Sequence, residues 1–133
     1  MTLVDLTWIA VGSALGGAAR FMLSGFVGRR VGETFPWGTM VVNVSGAFVI
    51  GLISAPAVSD IFSQMTGFWQ FAVIGVLGSY TTVSSFSLQT LALARDGQYA
   101  RAGANALLSL ALCLSAVALG FAIGGAMTGW RPA

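Results

Sequence analysis

Apolar residues run along this chain in four long blocks separated by short polar intervals. A helix needs about 20 mostly apolar residues to cross the hydrocarbon core of a bilayer. Four segments meet that length, at residues 6–27, 37–57, 68–93 and 102–127. The first carries one charge, Arg20, and is closed by Gly28-Arg29-Arg30. The second follows Pro36, which suits a helix start because proline's missing N–H costs nothing in the first turn. The third is bounded by Trp69 and by Arg95-Asp96-Gly97, and the fourth has Trp130 as its interfacial aromatic. Short connections predict that consecutive helices are antiparallel neighbours. Residues 1–133 therefore read as a single all-α domain of four transmembrane helices.

Composition agrees. The chain is 56% hydrophobic and only 8% charged, with a mean hydropathy of +0.87, whereas a soluble domain carries about 25% charged residues. Its amino terminus lacks a positive n-region and carries Asp5, and the apolar run outlasts a signal h-region of about 7–15 residues. The first block is thus expected to remain as a membrane span. Six arginines against four acids, with no histidine, form no basic stripe of the kind that nucleic acid requires. Cys113 stands alone in an apolar stretch, which excludes a disulfide framework and favours a small packing residue.

Glycines fall at or near four-residue spacing in the first, second and fourth spans: Gly12, Gly16 and Gly17; Gly46 and Gly51; Gly120, Gly124 and Gly125. In lipid, such spacing lets helix backbones approach closely. The third span is different. Seven of the nine residues from Ser79 to Ser87 bear hydroxyls, directly after Gly78. They could back-bond to the preceding turn and leave the helix whole. So dense a cluster after Gly78, at mid-membrane, reads better as a helix break, tolerated where it is buried in protein or lines a watery cavity. A break frees carbonyls of the first half for a cation and N–H groups of the second half for an anion.

No Asp, Glu, Lys or His lies inside a predicted span, so the intramembrane relay of a proton-coupled transporter is missing. No nucleophilic triad, metal-ligand cluster or phosphate loop is present either, which argues against an enzyme. Arg20 either snorkels to the nearby interface or guards the mouth of an aqueous vestibule. The Asn43 amide offers two donors to an anion, or bonds a neighbouring helix.

Three motifs together resemble the Fluc (CrcB) fluoride channels: Gly16-Gly17-Ala18-Ala19-Arg20-Phe21; Pro36-Trp37-Gly38-Thr39 with Val42-Asn43-Val44-Ser45-Gly46; and Gly75-Val76-Leu77-Gly78 followed by Thr81-Thr82-Val83-Ser84-Ser85-Phe86-Ser87. The resemblance implies an antiparallel, dual-topology dimer in the cell membrane with two pores that release cytoplasmic fluoride passively and confer fluoride resistance. Asn43 and Phe86 would line the pore, with Ser84 and Ser85 in a hydroxyl track that Asn105 and Ser109 continue. Arg20 and Thr39 would sit at the vestibule. Carbonyls of Gly78 and Thr81 would hold a structural sodium ion at the dimer interface.

Two departures accompany the likeness. Val83 stands where the family has its first pore phenylalanine, which predicts a weakened fluoride site. Arg29, Arg30, Arg95 and Arg101 flank one face and only Arg131 the other, a bias that opposes dual insertion. The chain is then either a homodimer despite the bias or the partner of an oppositely oriented homologue. The other readings are a small dual-topology multidrug-type transporter, for which the first-span carboxylate is missing, and a non-conducting structural subunit of a heterodimer.

Overall fold

The computed structural model describes residues 2–55, 58, 60, 61 and 67–127. Trp130, Arg131 and residue 57, the expected end of the second span, lie outside the described residues. Helix α1 (Leu3–Val31) opens on a capping box: Thr2 Oγ1 accepts from Asp5 N at 3.2 Å, and Thr2 N donates to Asp5 Oδ2 at 2.7 Å. It runs through Gly28-Arg29-Arg30, which had been expected to close it. The stop falls at Gly32, whose φ of 101° suits only glycine, and Arg29 and Arg30 instead occupy the last turn, where cations complement the helix dipole.

Helix α2 (Trp37–Ser54) starts directly after Pro36, as expected. The third span is divided. Its first half, α3, is π-helical over Trp69–Leu77 and α-helical over Gly78–Tyr80. Its second half is α4 (Val83–Arg95). A nine-residue π-segment is unusual, since the form is mostly seen as single-turn bulges. Helix α4 ends in a Schellman motif: Gln98 N–H reaches Leu93 O at 2.9 Å and Gly97 N–H reaches Ala94 O at 3.1 Å, with Gly97 at φ 75°. Helix α5 (Tyr99–Met127) completes the bundle, three residues earlier than the sequence suggests. Four helices are thus long and apolar enough to cross a membrane, the third counted as Trp69–Arg95.

The tightest pairs are not the consecutive helices. Gly12 lies against Phe71 and Gly75, and Gly16 against the Val76 backbone, so α1 and α3 run side by side in the same direction. Gly51 meets the Val117 backbone, Gly120 meets Phe48 and Leu52, and Gly124 meets Leu52 and Ala55, giving a second parallel pair of α2 with α5. A Cβ at Gly12, Gly16, Gly51 or Gly120 would collide with backbone, so the close approach requires glycine there. Short loops fix only the alternating direction of the helices. Thin glycine faces decide which of them touch. Large apolar side chains such as Phe21, Val83 and Leu107 stay at least 71% exposed, as suits a surface facing lipid or another subunit.

Candidate functional site: the broken third span

The chain leaves the helix at Thr81 (φ −75°, ψ 156°) and Thr82 (φ −151°, ψ 117°). Gly78, which precedes the hydroxyl cluster, is itself helical at φ −62°, and the break falls within the cluster. Two extended residues in mid-span expose peptide groups, and Asn43 of α2 takes one pair of them. Thr82 N–H donates to Asn43 Oδ1 at 2.8 Å, and Asn43 Nδ2 donates to Thr82 O at 2.9 Å. The amide stands in for a neighbouring β-strand. One Nδ2 hydrogen remains for another acceptor. Thr82 also caps α4, its Oγ1 accepting from Ser85 N at 3.2 Å and lying 3.1 Å from both Ser84 Oγ and Ser85 Oγ. Next to this clamp, Gly46 has no room for a Cβ because the Thr81 methyl occupies the space. Tyr80 OH meets Ser45 Oγ at 2.7 Å.

Hollows lie on both sides of the break. The larger, about 530 Å³, is walled by Asn43, Gly78, Thr81, Thr82, Val83, Phe86, Ser109 and Cys113, with aliphatic side chains between them. A second, about 230 Å³, holds Arg20, Ser24, Thr39 and Ser85 and shares Thr82 with the first. A third, about 430 Å³, adjoins it through Ser24, Thr39 and Ser85 and reaches Glu33 and Gln89. A fourth, about 330 Å³, continues to Asp96 and Arg101 at the arginine-rich end. Together they form a series from the loops to the centre of the span.

The structure brings Asn43, Val83, Phe86, Ser109, Gly78 and Thr81 to one cavity, and Arg20, Thr39 and Ser85 to the adjoining one. Ser84 is exposed on the first turn of α4. Asn105 lines none of these hollows. It is 2% exposed and donates from Nδ2 to Thr90 Oγ1 at 2.8 Å, while Thr90 Oγ1 donates to Phe86 O at 2.7 Å. Through Thr90, Asn105 fixes the pitch of α4 against α5 and so positions Phe86. Arg20 turns inward, with Nη1 3.5 Å from Thr81 O, so the snorkelling alternative is not the arrangement observed.

Three residues were not singled out as site residues. Thr82 belongs to the hydroxyl cluster, but its place in the wall of both cavities follows from the break falling at its own backbone. Gln89 has the one buried side-chain oxygen without a partner among the described residues, and it sits between the two outer hollows. Cys113, read as a packing residue, is half-buried in the cavity wall, four residues and so one turn beyond Ser109.

The donor set suits a small anion. It consists of an amide, hydroxyls, the N-terminal N–H groups of α4 and one guanidinium, with no carboxylate in the two inner cavities. The break suits a hard cation as well. Thr82 N–H, the usual partner of the Gly78 carbonyl, is given to Asn43, and Thr81, whose carbonyl lies 3.5 Å from Arg20 Nη1, lines the same cavity. Neutral oxygen ligands of this kind fit an alkali or alkaline-earth ion.

The sequence pattern of the family described as "CrcB-like protein, Camphor Resistance (CrcB)" matches residues 7–121. The chain is similar to the fluoride-specific ion channel FluC 2 of Rhodopseudomonas palustris (strain BisB18), 64% identical over 119 residues that cover 88% of this chain and 90% of that protein. It is also similar to the fluoride-specific ion channel FluC 2 of Bradyrhizobium diazoefficiens, 54% identical over 123 residues covering 91% and 89%. The fluoride-specific ion channel FluC of Rhodospirillum rubrum is 48% identical over 114 residues, covering 85% and 88%.

Proposed function

The chain belongs to the CrcB family, and from that premise we propose that it is a fluoride-selective channel of the plasma membrane. It releases cytoplasmic fluoride passively and so confers fluoride resistance; it is a channel, not an enzyme or a multidrug-type transporter. The observation that carries this reading is the broken third span, whose N–H end and neutral donors face a cavity free of carboxylates. Fluoride entering from the vestibule meets Arg20, Thr39 and Ser85, then the break at Thr82, then Asn43, Phe86 and Ser109. A phenyl edge carries the positive part of the ring quadrupole, so Phe86 contacts an anion without trapping it. Amide and hydroxyl donors replace water on a small ion, and conduction needs that binding to stay weak enough for release.

The functional unit we propose is an antiparallel homodimer with two pores, surrounded by lipid. Its support is the open side of the larger cavity, where Val83 is 76% exposed and a second, inverted copy would close the wall. At that interface the Gly78 and Thr81 carbonyls of each copy would hold a structural sodium ion, which neutralises the carbonyl ends of the broken helices. A second reading, pairing with an oppositely oriented homologue in which this chain is the structural half, is favoured by the arginine bias alone.

Purified chain in liposomes loaded with potassium fluoride tests the proposal, with release followed by a fluoride electrode after valinomycin. Rapid fluoride release without parallel chloride release is expected. Equal loss of both anions would sink selectivity, and silence from folded dimer would sink conduction by this chain alone.

A further inference from the structure

Helix α1 leaves one long face uncovered. Val11, Leu15, Met22 and Phe26 are each about half exposed or more, and their spacing puts them in one stripe along the helix. Ala18 and Ala19, between them, are exposed as well. Helices pair in lipid through small residues, and α1 commits Gly12 and Gly16 to α3. The bulky stripe therefore suits acyl chains better than another backbone. From Leu15 to Phe26 it rises about 16 Å, close to the ~15 Å of hydrocarbon in one leaflet.

The stripe ends on two cations. Arg29 and Arg30 follow Phe26 by three and four residues, so they flank the stripe at its end. Each lies back along the helix instead of reaching out to water. The Arg29 guanidinium stands over Gly25, 3.1 Å from where a Cβ would be, and Arg30 Cζ lies 5.0 Å from the centre of the Phe26 ring. One turn back along the axis is about 5–6 Å, which lowers both groups from the helix end toward phosphate depth. Neither has a carboxylate partner among the described residues. Glu33 turns instead to Gly28, two residues from Phe26 and so on the far side of the helix. Arg20 and Arg101, in contrast, donate to Thr81 O and Gln98 Oε1.

We propose that this face of α1 binds an anionic phospholipid, its phosphodiester held between Arg29 and Arg30 and an acyl chain lying along Phe26, Met22 and Leu15. Guanidinium forks match phosphate oxygens two at a time. A zwitterionic headgroup brings its own cation against the pair, so a lipid of net negative charge is selected. The site does not depend on fluoride conduction, and in an inverted pair of copies each leaflet would carry one.

The test mixes full-length chain in detergent with equal amounts of dioleoyl phosphatidylglycerol and dioleoyl phosphatidylcholine and counts retained lipids by native mass spectrometry. We expect one phosphatidylglycerol per chain, held about tenfold or more over phosphatidylcholine. Arg29→Gln with Arg30→Gln should abolish the preference. Arg95→Gln with Arg101→Gln removes equal charge from the same end of the bundle and should keep it. Equal retention of both lipids by the unaltered chain would overturn the proposal without any variant having to fold. So would an equal loss of preference in the two double variants, which would reduce the effect to net charge. Ala18→Cys in a Cys113→Ser background tests the other occupant. It lies at the middle of α1, where an inverted copy seated on this face would bring two thiols together. Mild oxidation in liposomes should leave the chains unlinked, and disulfide-linked dimers would overturn the proposal in favour of a second copy.

Discussion

Asn43 shows how one side chain can hold a helix open. Its amide satisfies both peptide groups of Thr82, and a buried peptide group left bare costs about 1–3 kcal/mol. Asn43→Leu removes both bonds with little change in volume, so thermal unfolding in detergent should show a loss of a few kcal/mol together with loss of fluoride flux. A variant that keeps wild-type stability would mean that water or another residue takes over Thr82. Val83 offers the opposite change. It stands at the first position of α4 beside the cavity, where an aromatic edge would add a weak partner for fluoride. Val83→Phe should raise flux in the liposome assay; unchanged or lower flux would remove Val83 from the path. At this scale the sequence is a good guide to which residues matter and a poor guide to their partners. Asn43 was legible as a polar residue within a span, but its binding to a backbone depends on where the break falls. Asn105 and Ser109, one turn apart on α5, part company: one is consumed by Thr90 and the other faces the cavity.

Among the elements, the four spans and the broken third were legible because hydropathy and a mid-membrane hydroxyl cluster are local signals. The site of the break was not. Gly78 is permissive but stays helical, while Thr82 leaves the helix because Asn43 and its own capping hydroxyl reward the extended form. The π-segment of α3 left no sequence signal, since its apolar residues suit any buried helix. Nor does glycine spacing say which helix is approached. Gly16 and Gly17 are adjacent, yet only Gly16 meets another backbone, that of Val76, while Gly17 has nothing within 4 Å of an added Cβ. Gly16→Ala should therefore destabilise the fold, overpacking typically costing about 1–3 kcal/mol. Gly17→Ala should be neutral or gain up to about 1 kcal/mol from helix propensity. Paired thermal melts check this, and equal effects at the two positions would disprove the parallel packing of α1 on α3.

For the molecule as a whole, the open question of orientation is one of charge. Arg29 and Arg30 end α1, Arg95 ends α4 and Arg101 begins α5, so all four collect at one end of the bundle. Positive residues near span ends favour the cytoplasm, and acids such as Glu33 and Asp96 offset them little. Arg20 is taken out of that count because it is turned to Thr81 O inside the protein. Against the bias stands the set of groups gathered at the break. The chain carries the clamp and the donors of a half-channel, which supports the proposed pairing of two inverted copies. A cysteine placed at exposed Thr34, in the loop between α1 and α2, in a Cys113→Ser background, reports which side that loop occupies. With an impermeant maleimide, intact cells should label about half of the T34C chains, and opened cells the remainder. Labelling confined to opened cells would mean that every copy inserts with its arginines inside. The chain would then close its pore only against an oppositely oriented homologue, and the homodimer would be wrong while the half-channel geometry stood.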